Sequence, residues 1–137
     1  MLSILPQLLD FQFYGPFILR LALGVIFLAH GWPKLKGDKS QFAGWLESMN
    51  LRPGKFWAWV VALAEFLGGI LILAGLFTQL AAFVLAIEFF VIIFWVRRGQ
   101  PFVLSEGRGR EFDFLILAAL LSLLVLGPGA FAVDYPL

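Results

Sequence analysis

The chain has 137 residues, of which 61% are hydrophobic and only 14% are charged. Ordinary soluble domains are about 25% charged, so this composition predicts a protein whose solvent is lipid. The net charge of +1 gives no general attraction to nucleic acid, and we expect no nucleic-acid partner. Because cysteine is absent, disulfides, thiolate nucleophiles and cysteine-bound metals are excluded.

Four apolar segments reach or approach the length of a membrane-crossing helix, roughly 20 residues for about 30 Å of hydrocarbon. The nearly continuous apolar run 56–96 would extend about 60 Å as one helix, so two spans must fold back within it. Gly75 is the natural turn, and Thr78 is the expected N-cap of the next helix. The sequence predicts an all-α bundle of four transmembrane helices in a single membrane domain, residues 1–137, with spans at 13–33, 56–77, 80–96 and 112–131.

The basic residues outside the spans are confined to two loops, and the residues before Phe13 lack the basic region of a secretory signal. Short cytoplasmic loops hold the excess of Lys and Arg. We therefore expect the first and third loops to face the cytoplasm and both termini to lie outside the inner (cytoplasmic) membrane. The loop cations are Lys34, Lys36, Lys39, Arg52 and Lys55 in the first loop, and Arg97, Arg98, Arg108 and Arg110 in the third.

The first loop contains the spacing of a short amphipathic helix. Phe42, Trp45, Leu46 and Met49 fall at i, i+3, i+4 and i+7, and Ser40 or Asp38 can cap the helix. One interpretation is an interfacial helix lying on the membrane surface, with the tryptophan at the headgroups. The alternative is a loop helix packed under the bundle.

Arg20, Glu65 and Glu88 are the clear cases of charged residues well inside the predicted spans. Such groups usually face the bundle interior and find a partner. Glycines share the faces of Arg20 and Glu65, which indicates close helix contact. We expect Arg20 to reach one or both glutamates, forming either a ligand or proton site or a buried pair that only fixes packing. Because two carboxylates exceed one guanidinium, one glutamate needs a proton or another cation.

A second polar cluster is predicted at the cytoplasmic ends of spans one and four, formed by His30, Lys34, Glu111 and Asp113. Acids at a helix start and cations at a helix end are also ordinary partners of the helix dipole. One histidine is too few to indicate a metal, and we predict none.

Several short groups of residues along the chain together form a characteristic pattern: Leu19-Arg20, Leu23-Gly24, Phe27 to Gly31 and Lys34; Glu65, Gly68-Gly69 and Leu73 to Leu76; Gly109 to Glu111; and Gly127-Pro128-Gly129 to Asp134. In this order the chain resembles the DoxX family of small bacterial and archaeal membrane proteins. The resemblance implies a four-helix membrane bundle and draws attention to Arg20, His30, Lys34, Glu65, Glu111 and the C-terminal motif Gly127, Gly129 and Asp134. Glu88 lies outside the family pattern.

The family has been connected with quinone-linked oxidation of reduced sulfur compounds and with membrane redox assemblies. The resemblance and the charged residues lead to one main hypothesis: a membrane subunit that binds a quinone-like or other hydrophobic molecule near Arg20 and Glu65. It would work beside a redox partner at the cytoplasmic loops, and whether it is itself an enzyme stays open. The alternatives are a proton-linked transporter of a small organic solute, which requires a homo-oligomer, and a structural anchor or assembly factor.

Overall fold

The structure, a computed structural model, describes residues 4–107 and 109–134, and within these ranges the chain is helical without strands. Arg108, one of the predicted loop cations, lies outside the described residues. Among the described residues, a 3-10 helix, Pro6–Tyr14, leads directly into the first of five α-helices. These are α1 (Gly15–Lys36), α2 (Ser40–Ser48), α3 (Gly54–Ala74), α4 (Thr78–Val91, continued by a π-helical turn, Ile92–Val96) and α5 (Glu111–Leu126).

Three helical segments in the described part of the chain are long and apolar enough to cross a membrane: Pro6–Lys36, Gly54–Ala74 and Thr78–Val96. The fourth predicted span is α5, whose 16 residues extend about 24 Å, short of the hydrocarbon thickness. The prediction of residue 131 as its end was wrong. Gly127 and Gly129, at φ +79° and +71°, end the helix although the sequence stays apolar.

The turn between α3 and α4 lies at Gly75, as predicted, and its φ of +70° is the left-handed conformation that glycine tolerates. The predicted N-cap Thr78 was wrong. Phe77 occupies that position at φ +50°, and the N–H groups of Phe77 and Thr78 donate instead to the carboxylate of Asp134, both at 2.8 Å.

Glycines allow α1 and α3 to pack closely, and this is the most extensive helix contact in the molecule. A Cβ on Gly31 would lie 2.6 Å from the backbone nitrogen of Phe66, and one on Gly24 would overlap Leu73. The close contact that the sequence pattern indicated is therefore present. The α4 helix packs against α3 and α5, and buried side chains of α1, α3, α4 and α5 form one apolar core.

The first-loop helix α2 packs against the beginning of α3, as one of the two interpretations predicted. Ala43 and Leu46 are buried against Ala58. The carboxylate of Glu47 accepts a hydrogen bond from the N–H of Gly54 at 3.1 Å. Trp45, on the same helix, remains 43% exposed.

Candidate functional site

Arg20 is buried, as predicted, but the prediction that it pairs with a glutamate was wrong. Its side chain is 1% exposed, and its guanidinium donates five hydrogen bonds to backbone carbonyls. The acceptors are the carbonyls of Ile72 (2.9 Å), Leu73 (3.0 Å), Pro128 (2.9 Å), Ala130 (2.7 Å) and Phe131 (3.2 Å). Ile72 and Leu73 are in the last turn of α3, where the carbonyls carry the negative end of the helix dipole and attract a cation. The other three carbonyls belong to the segment after α5.

The C-terminal motif completes this arrangement, which we call the Arg20 anchor: Arg20, Asp134 and the carbonyls and N–H groups that they bind. The N–H of Asp134 donates to the carbonyl of Gly75 at 2.7 Å, and its carboxylate caps α4. Gly129 leaves space for the 3-10 helix, because a Cβ there would lie 2.8 Å from the carbonyl oxygen of Phe13. The motif ties the chain's last described residues to the ends of α1, α3 and α4.

The environment of Asp134 stabilises its ionised form. Burial by itself raises the pKa of this carboxyl, but hydrogen bonds from the N–H groups of Thr78 and Phe77 outweigh burial and hold the pKa below its usual value. The positive charge of Arg20 adds to the lowering. The anchor therefore contains a carboxylate and a guanidinium that interact chiefly with backbone groups.

Glu65 pairs with Lys34 and not with Arg20. The Nζ atom of Lys34 lies 2.8 Å from both carboxylate oxygens of Glu65, whose side chain is only 3% exposed. Lys34 lies 14 residues after Arg20 on α1, about 21 Å farther along the helix axis. The structure thus places the predicted ligand residues in two separate regions.

Glu88 on α4 lies beside this ion pair, close enough for electrostatic interaction with both Glu65 and Lys34. Both of its carboxylate oxygens are buried, and no donor among the described residues reaches either of them. The neighbouring carboxyl of Glu65 can share a hydrogen bond with Glu88 only through a proton that one of the two carries. Buried polar atoms in native proteins are nearly always satisfied, so an unpaired carboxyl needs a proton, a water molecule or a ligand. Glu88 is the carboxyl for which both oxygens lack a donor among the described residues.

Glu88, Glu65 and Lys34 face a common cavity of about 800 Å³ between α1, α2, α3 and α4, which also reaches the start of α5. Its wall is mainly apolar and rich in aromatic rings, including those of Trp57 and Trp95. Arg20 does not line it. The other charged or titratable side chains in the wall are His30, Arg97 and Asp113.

The predicted second cluster is divided in the structure. Asp113 is 1% exposed and pairs with Arg97 at 2.7 Å, while Lys34 pairs with Glu65. His30 is exposed, with Nδ1 2.8 Å from its own helix's Ile26 carbonyl oxygen, and its ring lies beside that of Phe112. Glu111 is not in the cavity wall.

Arg97 was counted in the sequence only as a loop cation, yet it pairs with Asp113 across α4 and α5. The π-helical turn brings it there, and the N–H of Arg97 donates to the carbonyl of Ile92, five residues back, at 2.8 Å. Such turns are common at functional sites but have no simple sequence signature, so the pattern of charges could not reveal this pair.

The described residues contain no group of three or more His, Asp or Glu placed to bind a metal ion. The arrangement is instead an apolar cavity with a few convergent charged groups, which is the usual form of a small-molecule site. Together with the apolar helices, it defines a multi-span membrane protein with an internal cavity.

Residues 15–98 match the DoxX family, and the chain belongs to that family. It is 33% identical over 122 residues to a Bacillus subtilis (strain 168) protein named "Putative oxidoreductase CatD", covering 88% of this chain and 84% of that protein. It is 30% identical to the "Uncharacterized membrane protein Rv3486" of Mycobacterium tuberculosis (strain ATCC 25618 / H37Rv), covering 94% and 85%. No solved structure is significantly similar to the chain.

Proposed function

We propose that the protein is a membrane subunit that binds a quinone-like or other hydrophobic small molecule in the cavity beside Glu88. The observation that carries this proposal is the unpaired, buried carboxyl of Glu88 in the wall of an apolar cavity. A volume of about 800 Å³ lies within the range of roughly 300–1,000 Å³ of known ligand sites.

The charged residues have separate roles in this proposal. Glu88 forms a hydrogen bond with the polar end of the ligand and exchanges a proton with it. Lys34 binds the carboxylate of Glu65 and holds it in place, which leaves Glu88 to bind the ligand. Arg20, which the sequence suggested as a ligand residue, belongs to the anchor and acts on stability.

The family supports a redox role, because one relative carries the name of an oxidoreductase. The chain itself holds no cysteine. In the proposal, electrons therefore pass between the bound molecule and a partner protein at the cytoplasmic loops, where the basic residues of the first and third loops lie.

A binding titration tests the proposal. The purified protein in lipid nanodiscs is titrated with a short-chain ubiquinone, and quenching of tryptophan fluorescence reports occupancy, since Trp57 and Trp95 line the cavity. We expect saturable binding that Glu88→Gln weakens by about tenfold, the loss of one good hydrogen bond. Glu106→Gln, a change in an exposed loop, is the matched control and should leave affinity unchanged. Absence of saturable binding to the wild type would refute the proposal.

The membrane arrangement is also a proposal. We place α5 as a fourth span that completes a single four-helix domain in the inner membrane, with the first and third loops cytoplasmic and both termini outside. The natural absence of cysteine allows single cysteines to report this without background. Ser105→Cys should react with an impermeant maleimide only after cells are opened, and Gln12→Cys should react in intact cells. The reverse pattern would overturn the orientation.

A second candidate, proton-linked transport of a small organic solute by a homo-oligomer, is favoured by one observation. Glu65 and Glu88 interact with each other and with a single lysine, an arrangement in which two carboxyls can exchange protons. Reconstituted liposomes with an imposed pH gradient distinguish the candidates: solute uptake that Glu88→Gln abolishes would favour transport over quinone binding.

A further inference from the structure

Two carboxyls share one lysine in the cavity wall. Lys34 pairs with Glu65, so the charges of these two groups cancel. Glu88 lies beside this pair, and when it is ionised it adds a negative charge that Lys34 does not balance. In a site of low dielectric constant, an unbalanced carboxylate attracts either a proton or a cation strongly.

The aromatic wall favours the same kind of ligand. Trp45, Trp57 and Trp95 line the cavity, together with four phenylalanine rings, and tryptophan is the best aromatic partner for an organic cation. The negative faces of the rings stabilise a diffuse positive charge, and their apolar surface also desolvates its substituents. A hydrated inorganic ion would gain little from such a wall.

We propose that the cavity binds hydrophobic organic cations, of the quaternary ammonium or phosphonium class, with the positive charge beside Glu88 and the apolar substituents against the tryptophans. This inference goes beyond quinone binding, because it assigns a second class of ligand to the same cavity. The volume of about 800 Å³ accommodates a cation with several ring substituents. The two ligand classes should compete, since they occupy the same space.

Tetraphenylphosphonium and tetraphenylborate provide a direct test, because they share size and shape and differ in the sign of their charge. Binding to the wild-type protein in nanodiscs is measured by equilibrium dialysis, and binding to empty nanodiscs is subtracted. We expect the protein to bind the cation at least about tenfold more tightly than the anion. Equal affinity, or tighter binding of the anion, would overturn the inference.

Two pairs of variants locate the binding. Glu88→Gln should weaken cation binding by about tenfold, and Glu106→Gln should not change it. Trp57→Leu should weaken it several-fold, and Trp32→Leu, which alters a tryptophan outside the cavity wall, should not. If Glu88→Gln does not fold, the comparison of Trp57→Leu with Trp32→Leu still tests whether the cation binds in the cavity. Undiminished cation binding to a folded Glu88→Gln or Trp57→Leu protein would contradict the proposed site.

The quinone titration separates this inference from the proposed function. If ubiquinone binds and the phosphonium shows no preference over the borate, the cation inference fails and the quinone site stands. If the phosphonium binds at Glu88 and ubiquinone does not, the cation inference stands and the proposed function fails. If both bind, each should raise the apparent dissociation constant of the other.

Discussion

At the scale of single residues, Arg20 and Lys34 bind different sets of buried polar groups. Arg20 holds five carbonyls at one end of the bundle, and Lys34 holds Glu65 toward the other end. The division follows from geometry, because each cation reaches only the groups at its own depth along α1. Stability should therefore depend on both residues, and ligand binding mainly on the Lys34 region.

Replacing Arg20 should destabilise the fold without changing the cavity. In Arg20→Met several buried carbonyls lose their donor, and we expect a loss of about 3 kcal/mol or more in the free energy of unfolding. Thermal unfolding in detergent measures this, with Arg52→Met, at an exposed position, as the control. A melting temperature equal to that of the wild type would show that the anchor is dispensable.

Replacing Lys34 should destabilise the fold, because a buried carboxylate loses its cationic partner. Lys34→Met leaves Glu65 without its partner, which we expect to cost about 3–5 kcal/mol. The double variant Lys34→Met/Glu65→Gln should recover much of this loss, because no charge is then left alone. Unfolding measurements on the full double-mutant cycle give the coupling. Additive losses would mean that the pair does not interact energetically.

Asp134 should make stability depend on pH. The pKa of Asp134 is lower in the folded protein than in the unfolded chain, where it is about 3.9. Its contribution to stability is therefore fully present above the unfolded-state pKa and is lost as the pH falls through the folded-state pKa. At neutral pH, Asp134→Asn should cost about 1 kcal/mol, as for loss of a helix cap. Below about pH 3, the free energies of unfolding of the variant and the wild type should become more similar. A difference that is constant with pH would contradict this role.

The burial of Arg20 and Glu65 could be predicted from the sequence, because small residues share their helix faces. Their partners could not be predicted. The pattern shows which face of a helix is buried, but not that backbone carbonyls at Ile72 and beyond would satisfy a guanidinium. The role of Asp134 depends on a chain segment returning across the bundle, which only the tertiary structure reveals.

At the scale of elements, the apolar segments predicted each long helix to within a few residues, since hydrophobic length is a direct physical requirement of the bilayer. The largest error, the end of α5, arose where glycines stopped the helix in an apolar stretch. The α2 helix was recognised from its spacing, whereas its packing on α3 required knowledge of the buried side chains.

The contact between α1 and α3 should be sensitive to one methyl group. Gly31→Ala would place a Cβ 2.6 Å from the backbone nitrogen of Phe66, and backbone cannot move aside without separating the helices. We expect a loss of roughly 1–3 kcal/mol, as for overpacking. Gly15→Ala, on the same helix with no atom within 4 Å of the new Cβ, is the matched control. Equal stability of the two variants would refute the close contact.

At the scale of the whole molecule, the two ends of the bundle differ in structure. One end is closed by the Arg20 anchor and its network of backbone hydrogen bonds. The other end contains the cavity, the ion pairs and the basic loops. The sequence predicted the concentration of positive charge at this end. The cavity could not be predicted in the same way, because its wall is formed by residues from several helices that are far apart in the sequence.

Our central claim is that the cavity beside Glu88 is a site for a hydrophobic small molecule. The most direct measurement is a crystal structure of the protein grown with a brominated short-chain quinone, in which anomalous scattering locates the bromine. The account predicts one strong peak inside the cavity, with a quinone oxygen within hydrogen-bonding distance of the Glu88 carboxyl. A fully occupied peak elsewhere on the protein, with the cavity empty, would contradict it.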